Sequence, residues 1–158
     1  MKVTSLENKA LFYLQRFSAT KQGLRQVLTR KIKREDAEAF DAVAARDMID
    51  TLILKLESQG FLNDARFAEA RTSSLVRRGT SKRMITQKLR LKGVSAELAA
   101  SNVAALDDDA AAVAFAQRRR LGRFRTSGET SKERMQKDIA AMARAGFSYQ
   151  ASKRALHE

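Results

Sequence analysis

The chain has 158 residues and carries 31 lysine and arginine side chains against 18 aspartate and glutamate side chains, a formal net charge of +13. It lacks cysteine, which excludes disulfides and thiolate chemistry and fits a reducing cytoplasm. No apolar run approaches the roughly 18 residues that span a membrane, and the first residues form no signal peptide. These features predict a cytoplasmic protein, and the charge, which exceeds what solubility alone needs, favours a polyanion or nucleoprotein partner.

One phrase that is typical of helix ends occurs three times. An apolar residue is followed by three spacers, a glycine in the left-handed conformation and an apolar residue that folds back, which is the pattern of a Schellman stop. The three copies are Leu56…Gly60-Phe61, Leu89…Gly93-Val94 and Met142…Gly146-Phe147. Each is followed by a candidate N-cap, in order Asp64 or Asn63, Ser95, and Ser148. The sequence therefore predicts short helices joined by tight corners.

Apolar residues at helical spacing group these helices into triplets. The expected fold class is all-α, with tandem three-helix modules that are diverged repeats of one another. We expect the first module, which has a lengthened third helix, at residues 1–60, the second at residues 61–106 and the third at residues 107–158.

The predicted helix starts carry capping signals. Thr4 and Glu7 form a capping box for the first helix, and Asp36 is expected to open a long third helix that runs to Ser58. The middle helices of the modules begin alike, at Thr20-Lys21, Ser81-Lys82 and Ser131-Lys132. Gly23 stands where a glutamate would complete a capping box, so the start of the first middle helix is expected to be weak.

Basic side chains cluster in every module, and we interpret these clusters as a surface that contacts phosphates or carboxylates of a partner. In the alternative interpretation they form a solvated helix face on which Lys and Arg complement the helix dipole. That explains one or two charges per helix, but not the five arginines within residues 118–125. The expected contact residues are Lys21, Arg25, Arg30, Lys31, Arg77, Arg78, Lys82, Arg83, Lys88, Arg90, Lys92, Arg118, Arg119, Arg120 and Arg123.

An enzymatic function is not expected. The one histidine, His157, is the penultimate residue, where helices fray, and the chain has neither a usual set of zinc ligands nor a phosphate-binding loop. Asp107, Asp108 and Asp109 suggest a divalent cation, but adjacent acids before an alanine-rich helix more often cap it and offset its dipole. We therefore predict no catalytic residue, no metal and no cofactor.

A basic helical protein that acts directly on DNA, of helix-turn-helix or nucleoid-associated type, is the alternative function. The tight corners are compatible with helix-turn-helix geometry, and Lys82-Arg83 could enter a major groove. No helix carries a compact set of Arg, Asn and Gln for reading bases. Most of the ten Phe and Tyr residues fall at core spacing, which leaves little for stacking on single strands. Weak, salt-sensitive, nonspecific DNA contact is expected.

The least generic segment is Gly60-Phe61-Leu62-Asn63-Asp64-Ala65-Arg66-Phe67-Ala68. It combines a helix stop, an N-cap and the first turn of the next helix, and Phe61 and Phe67 are expected to reach the core. The segment resembles the corresponding phrase of the RecX family, and the resemblance extends to Arg78-Gly79 and Ser148. The residues that carry the shared structural motifs are Gly60, Phe61, Leu62, Asp64, Arg66, Phe67, Gly93, Val94, Gly146 and Phe147.

The resemblance to the RecX family implies a regulator of the bacterial RecA recombinase. It implies three modules in an elongated, curved protein that docks on the RecA filament formed on single-stranded DNA. Such a protein would inhibit ATP hydrolysis and strand exchange, and hence modulate DNA repair, homologous recombination and the SOS response. The absence of a long heptad seam favours a monomer.

Overall fold

The computed structural model describes residues 3–35, 37–38, 40–126 and 131–157, and these residues form helices without any strand. The all-helical prediction is therefore confirmed. The α-helices are α1 Val3–Leu14, α2 Lys21–Glu35, α3 Ala42–Ser58, α4 Asp64–Val76, α5 Lys82–Leu91, α6 Ala96–Ala104, α7 Asp108–Arg119, α8 Lys132–Arg144 and α9 Tyr149–His157. A short 3-10 helix covers Gly122–Phe124. No helix within the described ranges combines the length and the apolar character needed to cross a membrane.

The chain divides into two compact units. The first comprises residues 1–68 and 91–95, and the second comprises residues 69–90 and 96–158, so that α4 contributes to both. The division into three modules remains a prediction.

The core of the first unit is built by apolar faces of α1, α2 and α3. Leu6 from α1, Leu24 and Leu28 from α2, and Ile49 and Leu56 from α3 are almost completely buried. Their spacing of three, four or seven residues places each set on one side of its helix. Burial of these side chains holds the three helices together, since each contributes about 1.5–3 kcal/mol of transfer free energy.

The core of the second unit uses smaller side chains on α7 and larger ones elsewhere. Ala112 and Ala116 on α7 are completely buried and pack in one cluster with Met142, Phe147 and Leu156. The alanines let α9 lie close to α7, because no long side chain separates the two helix axes. The small side chain of alanine therefore suits this face of α7.

Helix α3 begins later than the sequence predicts. Its N-cap is Asp41, whose carboxylate accepts hydrogen bonds from the backbone of Val43 at 2.8 Å and of Ala44 at 3.2 Å. The prediction that the long helix already runs through residue 40 is wrong, and Val43 is 69% exposed. Asp36 and the side chain of Thr4, which were expected to cap helices, lie outside the part of the chain that the structure describes.

The glycine stops end three helices. Gly60, Gly93 and Gly146 have φ angles of 79°, 85° and 90°. Backbone hydrogen bonds from Phe61 to Leu56 and from Phe147 to Met142, 2.9 and 3.2 Å long, close the first and third stops. At each of these glycines the chain therefore leaves the helix and changes direction.

The aromatic residues around the first stop differ from expectation. Phe61 is 55% exposed, so the prediction that it reaches the core is wrong. The next residue, Leu62, is 2% exposed and fills the core position instead. Asn63, rather than Asp64, caps α4, because its side-chain oxygen accepts from the backbone of Arg66 at 2.9 Å.

The start of α2 is held by a contact with a distant helix end, which we call the first joint. The Thr20 hydroxyl donates to the carbonyl of Lys92, just before Gly93, and accepts a hydrogen bond of 2.9 Å from the backbone of Gly23. The backbone N–H of Lys21 donates to Asp64 at 2.8 Å. Gly23 thus supplies the backbone half of a capping box, and the side-chain half that a glutamate would provide is missing, as expected.

The start of α5 repeats this arrangement in a second joint. The Ser81 hydroxyl donates to the carbonyl of Ala145 at 2.7 Å, just before Gly146, and accepts from the backbone of Met84 at 3.3 Å. The backbone N–H of Lys82 donates to Asp108 at 2.8 Å. One hydroxyl group therefore serves as donor to another helix end and acceptor within its own helix, which uses both of its hydrogen-bonding roles.

The close packing at the first joint predicts that alanine at Gly93 and alanine at Gly60 lower the free energy of unfolding by different amounts. A Cβ atom at Gly93 would lie 2.5 Å from Cβ of Gln22, whereas nothing lies within 4 Å of a Cβ atom at Gly60. We expect Gly60→Ala to cost about 1 kcal/mol, from the left-handed conformation alone. Gly93→Ala should cost at least about 2 kcal/mol, because overpacking is added, and Gly93→Val should disrupt the joint. Urea unfolding measures both; equal losses would contradict the close approach.

The serines that cap α5 and α8, Ser81 and Ser131, provide a second comparison. Ser81 is completely buried and bonds outside its helix, whereas Ser131 is exposed and, among the described residues, accepts from the backbone of Arg134 at 3.3 Å. Ser131→Ala should lose about 1 kcal/mol of cap energy, and Ser81→Ala about 2 kcal/mol, because the carbonyl of Ala145 is also left without its donor. Thermal unfolding of the two variants tests this order. The joint would be ruled out as a stabilising contact by identical melting temperatures.

Candidate partner-binding surface

Two of the predicted contact residues on α2 are paired within the first unit. Lys21 forms an ion pair of 2.8 Å with Glu57, and Arg25 forms one of 2.7 Å with Asp50. Both acids lie on α3, in the acidic segment of residues 36–65, where seven acids outnumber two bases. The acidic segment therefore neutralises this face of α2.

The ion pair with Glu57 affects the pKa of Lys21. Its pKa is raised above the ordinary value of 10.5, chiefly by the hydrogen bond to Glu57 and further by the negative charges of Glu57 and Asp64. Partial burial and the nearby Arg25 act in the opposite direction. The ammonium group is therefore held in its charged form by its acidic neighbours.

The second half of α2 carries two further predicted contact residues of the first unit, Arg30 and Lys31. Arg30 is exposed, and its Nε donates to the carbonyl of Gln26 at 3.3 Å, while Lys31 is half-buried. Lys33 and Arg34 in the last turn are exposed as well. This end of α2 presents positive charge to solvent.

In the second unit, the structure brings two separate basic segments together. Arg77 and Arg78 are exposed after the end of α4, and Nη1 of Arg118 donates to the carbonyl of Arg78. The guanidinium groups of Arg118 and Arg119 lie 5.8 and 5.9 Å from the ring centre of Phe115. We call Arg77, Arg78, Arg118 and Arg119 the corner cluster. Basic residues that follow α4 and basic residues of α7 thus meet at one corner of the second unit.

Glycine makes this corner possible. Gly79 has a φ of 62°, and the backbone N–H of Thr80 donates to Leu75 at 3.1 Å to end α4. A Cβ atom at Gly79 would lie 3.4 Å from Ala114 Cβ and from the backbone of Phe115. The end of α4 therefore lies directly against α7, which carries Arg118 and Arg119 one turn further on.

Lys82 and the three consecutive aspartates have structural partners. Nζ of Lys82 donates to the carbonyl of Ala104, at the end of α6, over 3.2 Å. Asp107 caps α7 by accepting hydrogen bonds from the backbone N–H groups of residues 109 and 110. Asp108 accepts a hydrogen bond from the backbone N–H of Lys82 in the second joint, and Asp109 forms an ion pair of 2.8 Å with Arg154. No metal-binding group of acids or histidine is found among the described residues. The aspartates cap and link helices, as the structural interpretation predicts.

The other three arginines within residues 118–125 have different surroundings. Arg120 ends α7 with a φ of 53°, unusual for a residue with a side chain, and Arg123 lies 4.8 Å from the ring centre of Phe124. Arg125 pairs with the nearly buried Asp138 at 2.7 Å. Arg120 and Arg123 are exposed, whereas Arg125 anchors the segment after α7.

The basic residues of α5 lie on more than one face. Lys88 is half-buried, whereas Arg83, Arg90 and Lys92 are exposed. The carbonyl of Lys92 belongs to the first joint. The structure therefore distributes Arg83, Lys88 and Arg90 around α5, and Lys92 follows the end of this helix.

The sequence missed one group of exposed aromatic residues. Most Phe and Tyr residues were expected at core spacing, but Phe12 and Phe17, at the end of α1 and just after it, are 54% and 55% exposed. The core face of α1 runs through Leu6, Ala10 and Tyr13, and Phe12 falls beside it. The signal that could have found them is the phase of the helix, which is set by Leu6 and Ala10.

Comparison with known proteins gives one family. A family model described as "RecX, second three-helix domain" matches residues 63–101. The chain is 43% identical over 162 residues to "Regulatory protein RecX" of Myxococcus xanthus, with 97% of this chain and 84% of the relative covered. It is 34% identical over 145 residues to "Regulatory protein RecX" of Agrobacterium fabrum, with 90% and 77% covered.

A solved structure has the same fold. The crystal structure of RecX from Lactobacillus salivarius superposes with a TM-score of 0.73 at 19% identity, covering 97% of this chain and 93% of that chain. A second structure, of regulatory protein RecX, has a TM-score of 0.72 at 17% identity, covering 99% of this chain and 72% of that chain.

The ion pair of Lys21 predicts a pH effect on stability. Because the folded-state pKa is raised, the pair contributes fully below pH 10.5 and its contribution is lost as pH rises through the folded-state pKa. Replacing Glu57 by Gln should remove this contribution. Urea midpoints from about pH 9 to about pH 12 should therefore converge for wild type and Glu57→Gln as the pH rises. A difference that stays constant over this interval would contradict the pairing.

Proposed function

Because the chain belongs to the RecX family of regulatory proteins, we propose that it regulates the RecA recombinase, mainly as an inhibitor. It binds along the RecA filament on single-stranded DNA and suppresses ATP hydrolysis and strand exchange. Through this action it modulates DNA repair, homologous recombination and the SOS response. It acts by binding, as a non-enzymatic regulator.

The corner cluster is the observation that carries this proposal. Arg77, Arg78, Arg118 and Arg119 gather on one surface of the second unit, and none of them forms an ion pair with an acid in the described ranges. Their charges are therefore available to carboxylates or phosphates of a filament. Arginine suits both groups because its planar fork binds two oxygens at once.

Other predicted contact residues have a secondary role in the proposed surface or a role in the fold. Arg30, Arg83, Arg120 and Arg123 are exposed, and we assign them to the periphery of the contact surface. Lys21, Arg25 and Lys82 have internal partners, so we assign them chiefly to the fold.

The two joints suggest how binding leads to inhibition. Each joint ties the start of a middle helix to the end of another helix through a hydroxyl and a backbone N–H. Helices held in this way can touch successive recombinase subunits without reordering. Several weak contacts on one chain strengthen one another, because each raises the effective concentration of the next. Bridged subunits cannot make the movements that ATP turnover requires.

Weak, nonspecific DNA contact, a monomeric state and a cytoplasmic location complete the proposal. The basic surfaces favour DNA contact that weakens steeply with salt. Direct action on DNA alone, as a basic helical DNA-binding protein, is the competing function. The two are separated by whether inhibition requires the recombinase filament or only occupied DNA.

We expect this protein to inhibit ATP hydrolysis by preformed filaments of the cognate RecA on single-stranded DNA. Alanine at all four positions of the corner cluster should weaken inhibition at least about tenfold, since each charge-assisted contact is worth about 1.5–3 kcal/mol. ATPase assays over a range of protein concentrations measure the effect.

The matched control replaces four exposed basic residues of α8 and α9, Lys132, Lys137, Arg144 and Lys153, by alanine. It removes the same charge from the same unit and should retain inhibition. Equal loss in both variants would show that net charge alone drives binding. An unchanged ATPase rate with wild-type protein in excess would refute regulation of the filament.

A further inference from the structure

An aromatic patch lies at the end of α1 and consists of Phe12, Tyr13, Arg16 and Phe17. The rings of Tyr13 and Phe17 lie 5.1 Å apart with an angle of 36° between their planes. The guanidinium of Arg16 lies 4.7 Å from the ring centre of Phe12. Tyr13 also packs on the core of the first unit, so the patch has a fixed base. More than half the surface of both phenylalanines is exposed.

The patch lies in a strongly basic segment. Between Glu7 and Glu35 the sequence has no acidic residue and eight basic ones. Three of them, Lys9, Lys21 and Arg25, are paired with acids from other segments. Arg16 makes no ion pair with any residue in the described ranges, and it is exposed. The aromatic faces are therefore accompanied by positive charge that no carboxylate of the unit cancels.

We infer that the aromatic patch binds single-stranded DNA by stacking bases on Phe12 and Phe17, while Arg16 contacts the phosphate backbone. Exposed rings and an arginine are the combination that binds single strands without sequence preference, because every base has a flat face. A purely apolar protein surface would have to bury the charge of Arg16 without a counter-ion, which is unfavourable. A nucleic acid supplies both the flat faces and the anions.

A third exposed phenylalanine provides a comparison in which the surrounding charge differs. Phe61 is 55% exposed, as Phe17 is, but it lies within the acidic segment of residues 36–65 and has no arginine on its ring among the described residues. Repulsion of phosphates disfavours nucleic acid there. Phe61 therefore serves as a matched control of equal exposure in the same unit.

This inference deepens the proposed DNA contact, and it is tested without the recombinase. Binding of a fluorescently labelled oligothymidylate and of an abasic oligonucleotide of equal length is measured for wild type, Phe12→Ala/Phe17→Ala and Phe61→Ala. Wild type and Phe61→Ala should prefer the oligothymidylate. The double variant should bind it at least about fivefold more weakly, the lower limit for loss of one stacked base, and should lose the preference.

The salt dependence separates rings from charge. Arg16→Ala should reduce the slope of log Kd against log salt by about 0.7, the value for one phosphate contact on a single strand. The double phenylalanine variant should leave that slope unchanged. If both variants bind oligothymidylate with wild-type affinity and slope, the patch does not bind DNA.

Tyrosine emission provides a reading on folded protein with an intact patch. The chain has two tyrosines and no tryptophan, so Tyr149→Phe leaves Tyr13 as the only strong emitter. Oligothymidylate should quench this emission to saturation at the affinity of the binding assay, and the abasic oligonucleotide should not. Equal quenching by both would overturn stacking. Weakened filament inhibition by the double phenylalanine variant, with unchanged DNA affinity, would assign the patch to the recombinase instead.

Discussion

The fold depends on a hydroxyl group with two roles. At the start of α2 and again at the start of α5, a threonine or serine accepts from its own helix and donates to the last carbonyls of another. A buried hydroxyl without partners costs free energy, so each joint forms only when both helices are in place. The glycine next to each accepting carbonyl provides the space. This one constraint links capping, which is local, to packing between distant segments.

The joints also explain which charges remain for binding. Lys21 and Lys82 occupy the same place in the two joints, directly after the capping hydroxyl, and each is bonded inside the protein through both its backbone and its side chain. Arginines outside the joints, such as Arg77 and Arg119, are exposed. Charge density along the sequence therefore overstates the contact surface, because part of it stabilises helix starts and ends.

Local signals in the sequence were sufficient for the all-helical fold and for several helix ends, but not for the start of α3. Gly60 and Gly146 have the predicted left-handed conformation, and Ser131 caps α8. The start of α3 was misplaced because two aspartates, at positions 36 and 41, are equally good caps on sequence grounds. The contact between Arg118 and Arg78 spans forty residues, and no local pattern encodes it. The exposure of Phe12 was missed because periodicity identifies an apolar helix without fixing the phase of its buried face.

Apart from the Asp64 and Asp108 carboxylates, the joints use main-chain carbonyls and N–H groups, with a single short side chain each. Main-chain atoms are common to all residues, so such a connection places few demands on composition: a hydroxyl, a glycine and an aspartate. Neighbouring solvent-facing positions can then change at one joint without affecting the other. That freedom accounts for two joints that share a hydroxyl, a glycine and an aspartate although the residues around them differ, such as Gln22 in the first joint and Arg83 in the second.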